Sequence, residues 1–161
     1  MVTWTELRSL QPELAGAGQS LLCQFGIGLG FLSTVRRDGG PRLHPVCPII
    51  TKSGLYAFII PSPKLQDLLR DGHYALHSYP CPDNEDAFYV TGTARPIEGS
   101  GARQAVIDSF LSQSGRQGPT PDFTDQTLVE LLIETCLLTR TTGHGDPEAH
   151  HTVWKAPAEA R

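Results

Sequence analysis

Three β-forming runs follow one another between residues 30 and 60 with only tight turns between them, and this spacing constrains the fold more than any other feature. Residues 30–36 (GFLSTVR) and 42–50 (RLHPVCPII) flank Arg37-Asp38-Gly39-Gly40, and residues 55–60 (LYAFII) follow Ser53-Gly54. Asp-Gly and Gly-Gly supply the positive φ that a tight hairpin turn needs. Parallel pairing would require a crossover of about a dozen residues, and the gaps here are far shorter. The strands are therefore antiparallel. Pro45 and Pro48 cannot donate ladder hydrogen bonds, so the second run is expected to be irregular or to lie at a sheet edge.

The rest of the chain decorates this nucleus. Thr3 and Glu6 form a capping box for a short opening helix, and Pro12 starts a second one directed toward Phe25. Ser62 and Pro63 suit the cap and first turn of a short helix through Leu65, Leu68 and Leu69 to Gly72. Residues 73–79 and 87–97 read as further strands. In the second, Phe88, Val90, Gly92 and Ala94 alternate with Tyr89, Thr91, Thr93 and Arg95. Residues 101–113 have helical periodicity (Ala105, Val106, Phe110), and 114–121 form a Gly/Pro loop. The spacing of Leu128, Leu131 and Leu132 predicts another helix over 125–134, followed by strands at 135–142 and 150–155. The expectation is one domain over 1–161. It has a helical segment at 3–25, a barrel core at 30–97, a helical insert at 100–134 and a C-terminal hairpin at 135–155. The fold class is mainly β with helices (α+β), a small antiparallel barrel.

A net charge of −4 without any Lys/Arg block speaks against a general nucleic-acid or anionic-membrane surface. Apolar stretches are interrupted well short of a bilayer span, and MVTWTELRSL lacks the layout of a secretory signal. A cytoplasmic location is expected, with no nucleic-acid or membrane partner. Cys23, Cys47, Cys81 and Cys136 are far apart with no C-x-x-C, and are read as buried free thiols.

Few residues carry recognisable chemistry. A helix start bears partial positive charge and unpaired N–H groups, so Lys64 there is mildly unfavourable on its own. It is explained if an anion such as phosphate is shared by the N–H groups, the Ser62 hydroxyl and the ammonium; the alternative is a solvated lysine. Gly26, Gly28 and Gly30 precede a strand in G-x-G-x-G spacing, which suits a helix end and turn and not a dinucleotide loop. His144, His150 and His151 flank an exposed turn and are read as solvated hairpin ends, and no metal site is assigned. Asp83, Glu85 and Asp86 are read as a solvated loop.

Taken together, GFLSTVRRDGGPRLHPV, LYAFIIPSPKLQDLLRDGHYALHS and YVTGTARPI resemble the FMN-binding split β-barrel family typified by pyridoxamine 5'-phosphate oxidase. The first follows the pattern D-G-x-P then P-V, the second S-x-K-x-x-x-L-x-x-D after an apolar strand, and the third V-x-G-x-A. The resemblance extends to actinobacterial-type members carrying Ala75-Leu76-His77-Ser78. It implies that Arg42, His44, Pro45 and Val46 pass the flavin, that Ala57, Phe58 and Ile59 line its other side, and that Ser62 and Lys64 clamp the phosphate. A homodimer with the flavin at its interface is implied too, with His77 and Tyr79 as candidates for the substrate pocket.

Three departures separate the chain from the oxidase itself. Pro63 stands where the family has an arginine, which removes one phosphate contact. His44 replaces another arginine, and only a protonated imidazole would compensate. The ending HHTVWKAP lacks the family's Arg-rich substrate contacts. The resemblance therefore implies an FMN-dependent oxidoreductase for an unidentified small molecule. The alternatives are the same fold using the deazaflavin F420, or a non-catalytic flavin- or haem-binding protein.

Overall fold

The computed structural model describes residues 1–115, 119 and 121–158. Its elements in chain order are α1 (Trp4–Leu10), α2 (Pro12–Leu22), β1 (Gly30–Val35), β2 (Pro41–Val46), β3 (Ile49–Ile50), β4 (Leu55–Ile59), α3 (Pro63–Arg70), β5 (His73–Ser78), β6 (Ala87–Pro96), α4 (Ser100–Ser114), β7 (Thr127–Arg140) and β8 (His150–Lys155). The strands form one antiparallel sheet in the order β2-β1-β5-β6-β7-β4-β3, with β8 also paired to β7. β2 and β3 stand at opposite ends of that order, yet only Cys47 and Pro48 separate them in the chain. The sheet must therefore curl until its two edges meet without closing, which makes a split barrel. The prolines determine where it splits. Pro41 and Pro45 sit in β2 with no N–H to offer an outer neighbour, and Pro48 ends the run that the sequence suggested would continue to residue 50.

The interior is built by period-2 alternation. Leu32 of β1, Leu76 of β5, Phe88 and Val90 of β6, and Leu131 and Ile133 of β7 are fully buried in one cluster with Trp4, Leu7 and Leu22 from the N-terminal helices. Trp4 meets Phe88 edge-to-face at 6.1 Å. α1 begins with the expected reciprocal Thr3–Glu6 capping box, and Val2 pairs with Ile133, tying the helical segment to the barrel. α2 ends at Leu22, short of Phe25.

The expected helix over 125–134 is not there. From Thr127 on, those residues belong to β7, the longest strand, which pairs with β6 along one edge and with β4 and then β8 along the other. Leu128 packs under α4 while Val129, Leu131 and Ile133 face the main core. A strand buried on both faces reads as a continuous apolar run, which periodicity alone cannot tell from a buried helix. The helical insert is accordingly confined to α4, and the expected C-terminal hairpin is the upper half of β7 with β8. The loop expected over 114–121 lies partly outside the described residues. Among the described residues no helix is long and apolar enough to cross a membrane.

The four thiols are free, but only Cys136 is fully buried; Cys47 is exposed, contrary to expectation. It falls at the β2–β3 break, where the backbone turns its side chain out of the core. Asp86 is not simply solvated either. It accepts hydrogen bonds from Arg140 (2.7 Å) and the Thr141 N–H (2.7 Å), which pins its loop to the end of β7.

Candidate functional site

Two depressions adjoin beside the start of α3. The smaller, of about 200 Å³, is lined by Arg42, His44, Ile60, Ser62, Pro63 and Lys64. The larger, of about 480 Å³, runs from Lys64 and Ile60 past Pro45, Val46, Cys47 and Phe58 to Phe110, Pro121, Phe123 and Gln126. Lys64 and Ile60 belong to both, so a cationic end opens into an apolar groove.

The cationic end is built by helix capping. Ser62 has an extended backbone; its Oγ accepts the Leu65 N–H at 3.3 Å and donates to the Ile60 carbonyl at 2.8 Å. This fixes the first turn of α3 and sets Lys64 beside β2. Burial lowers the Lys64 pKa, partly offset by the neighbouring Cys47 sulfur, and burial likewise raises the Cys47 thiol. Among the described residues Lys64 has no carboxylate partner within ion-pair distance.

Arg42 is oriented by a residue that the sequence reading passed over. Asp67 of α3, only 6% exposed, accepts Arg42 Nε at 2.7 Å and Thr34 Oγ1 at 3.1 Å, with Arg70 at 3.5 Å. Holding Arg42 by Nε leaves its terminal nitrogens for the depression. The available signal was a carboxylate within the apolar stripe of Leu65 and Leu68, which requires a buried partner.

Burial alone would raise the Asp67 pKa. Hydrogen bonds from Arg42 and Thr34 and the nearby guanidinium charges outweigh it, so the carboxyl titrates below the ordinary 3.8. A depressed pKa stabilises the fold above the unfolded-state value, and that contribution is lost as pH falls through the folded-state value. Asp67→Asn should therefore cost about 1.5–3 kcal/mol at neutral pH. It should also remove part of the acid lability below about pH 4, measured as urea midpoints against pH.

The other expected site residues divide. Pro45, Val46 and Phe58 line the groove, and Arg42, His44, Ser62 and Lys64 line the cationic end. Ala57 and Ile59 alternate with Phe58 and bury their side chains in the core, leaving only their backbone on the groove side. His77 and Tyr79 do not line the groove. His77 borders a separate depression with Cys81, Asp86 and His144, and its Nδ1 lies 2.7 Å from the Ser78 carbonyl. Tyr79 stacks on Phe31 at 5.2 Å.

Beside the expected Phe58, the far wall of the groove is completed by Phe110 and Phe123, which no sequence signal placed at the site. Phe58 and Phe123 lie 4.3 Å apart, and Phe110 meets Phe123 edge-on at 5.7 Å. Donor chemistry and shape together suit a flat, largely apolar body with an anionic tail, and the combined volume is that of a small-molecule site. FMN has this form. Lys64 and Arg42 could hold its phosphate, and Pro45, Val46 and Phe58 its ring.

No family model and no curated protein matches the chain. Solved structures do. A haem-binding protein from Mycobacterium smegmatis aligns at TM-score 0.64 and 14% identity over 86% of this chain. The chain spans only 57% of that protein's length. A pyridoxamine 5'-phosphate oxidase candidate from Listeria innocua aligns at TM-score 0.57 and 19% identity, covering 74% of this chain and 93% of its own. An F420 reductase aligns at TM-score 0.54 and 20% identity, covering 73% and 94%. The architecture shared with them is the split β-barrel.

Proposed function

We propose that this chain, a split β-barrel of the pyridoxamine 5'-phosphate oxidase-like fold, is an FMN-dependent oxidoreductase acting on a small molecule. One observation carries the reading: a half-buried ammonium, Lys64, without a counter-ion among the described residues, at the junction of a cationic depression and an apolar groove. Lys64 and Arg42 bind the phosphate, helped by the Lys64 backbone N–H, the donor of the α3 start that Ser62 does not already cap. His44 stands at the rim of the same depression and adds a donor. Pro45, Val46 and Phe58 exclude water from the ring. When bound, the isoalloxazine supplies the redox chemistry, and the protein contributes orientation and electrostatics. No side-chain acid or base is assigned.

The reading includes a homodimer. β2 is an unpaired sheet edge, and Leu43 and Ile60 beside the groove are 64% and 58% exposed, apolar surface that a second copy would cover. His77 and Tyr79 would then reach a site only from the other protomer. A cytoplasmic location is supported by the exposed free thiol of Cys47.

The test is retention. Purified protein mixed with excess FMN and desalted should keep the flavin absorption bands, with a dissociation constant on the order of micromolar or below. Protein that emerges colourless overturns the FMN reading. Uptake of F420 or haem in its place would move the assignment to that cofactor.

A further inference from the structure

The aromatic wall opposite Lys64 is held by one side chain. Arg103 of α4 donates from Nη1 to the Gln126 carbonyl at 2.8 Å and from Nη2 to the Phe123 carbonyl. Its guanidinium carbon stands 5.0 Å from the centroid of the Phe58 ring. Three separate parts of the groove, β4, α4 and the segment 121–126, thus converge on a single residue. Among the described residues, the other hydrogen bonds of that segment are internal: Gln126 N–H to the Phe123 carbonyl, Thr124 N–H to Asp122, and the Gln126 side chain to the Asp122 carbonyl. Among the described residues nothing else polar ties the segment to α4 or to the barrel.

We propose that Arg103 is a positioning residue for the ring-binding half of the groove. It holds Phe123 against Phe58, the rings 4.3 Å apart and tilted by 31°, and so fixes the aromatic wall against which a rigid planar fused-ring ligand packs. The proposal rests on the reading that the groove takes a flavin ring, and it assigns that ring a second, phosphate-independent source of affinity. The chemistry fits the role. A guanidinium is a planar fork able to hold two carbonyls while stacking on an aromatic face. A lysine could hold one carbonyl and would leave the other free. Arg103 also has no carboxylate within ion-pair distance among the described residues, so its donors are committed to the wall.

The experiment compares wild type, Arg103→Met and Arg103→Lys with two probes, FMN and riboflavin, which share the ring and differ by the phosphate. Arg103→Met should weaken both flavins by about tenfold, a change sized by one cation–π contact and two lost hydrogen bonds. The affinity ratio between FMN and riboflavin should not change. At saturation the anisotropy of the bound flavin's fluorescence should fall, because the ring has lost its fixed wall. Arg103→Lys should not restore it. In the ligand-free protein, amide hydrogen exchange across Phe123–Gln126 should speed up in Arg103→Met, a readout that needs no flavin.

Unchanged exchange in that segment, or unchanged riboflavin affinity with unchanged anisotropy, overturns the proposal. A drop in FMN affinity alone would also overturn it, by placing Arg103 with the phosphate. Wild-type protein that binds neither probe overturns both this proposal and the flavin reading beneath it. Wild-type binding with an insensitive Arg103 overturns this one only.

Discussion

Replacing Gly92 by alanine should lower the unfolding free energy by about 3 kcal/mol, the upper end of what forced overpacking costs. Gly92 lies in β6 where the register with β7 slips between Thr91 and Gly92. A Cβ there would stand 1.9 Å from the Leu132 carbonyl oxygen and 2.9 Å from its carbon. Both obstructing atoms are backbone, so no rotamer change can relieve the clash. Relief requires moving β7, and β7 carries Leu131 and Ile133, both fully buried. A loss of this size takes a large share of the about 5–15 kcal/mol that holds an ordinary domain. Gly16 supplies the control. It is exposed within α2 with nothing within 4 Å of its Cβ position, so Gly16→Ala should raise stability by about 0.5–1 kcal/mol. Urea midpoints of the two variants should move in opposite directions. If they move alike, the bulge at Gly92 does not constrain the packing of β6 on β7.

What could be read from the sequence was local chemistry. The β1–β2 hairpin follows from Asp38-Gly39, where Gly39 adopts φ +82°. The α3 cap follows from Ser62-Pro63, and the interest of Lys64 follows from a cation set at a helix start. Each depends on neighbours within a few residues, so the chain itself carries the signal. The failures are non-local. Residues 127–134 satisfy helical spacing, and only their pairing with β4 and β6 makes them a strand. Ala57 and Ile59 were grouped with Phe58 by position in a motif, although the pleat sends them to the opposite face. Asp67 and Arg103 are ordinary surface residues in the sequence. Their roles exist only because the barrel brings Arg42 beside one, and Phe58 and residues 123–126 beside the other. The site is thus half legible: its anion-binding end is written into one helix cap, while its ring-binding end is assembled from β4, α4 and the start of β7's approach.

Lys64→Ala should weaken FMN by about 10- to 150-fold, the equivalent of one charge-assisted contact of about 1.5–3 kcal/mol. Riboflavin, which carries no phosphate, should bind as before. The ligand-free variant should be as stable as the wild type or slightly more so. Among the described residues Lys64 has no counter-ion to lose, its ammonium is partly desolvated, and its charge faces the positive end of the α3 dipole. Reduced affinity without reduced stability is what distinguishes a ligand-binding lysine from a structural one. Arg42→Ala should behave differently. It strands the buried Asp67 carboxylate without its 2.7 Å partner, so both FMN affinity and the thermal midpoint should fall. Parallel titrations and melting curves of the two variants separate these outcomes. If Lys64→Ala binds FMN as tightly as wild type, the phosphate does not sit at the α3 start. If it loses FMN and riboflavin equally, Lys64 shapes the groove and does not recognise the anion.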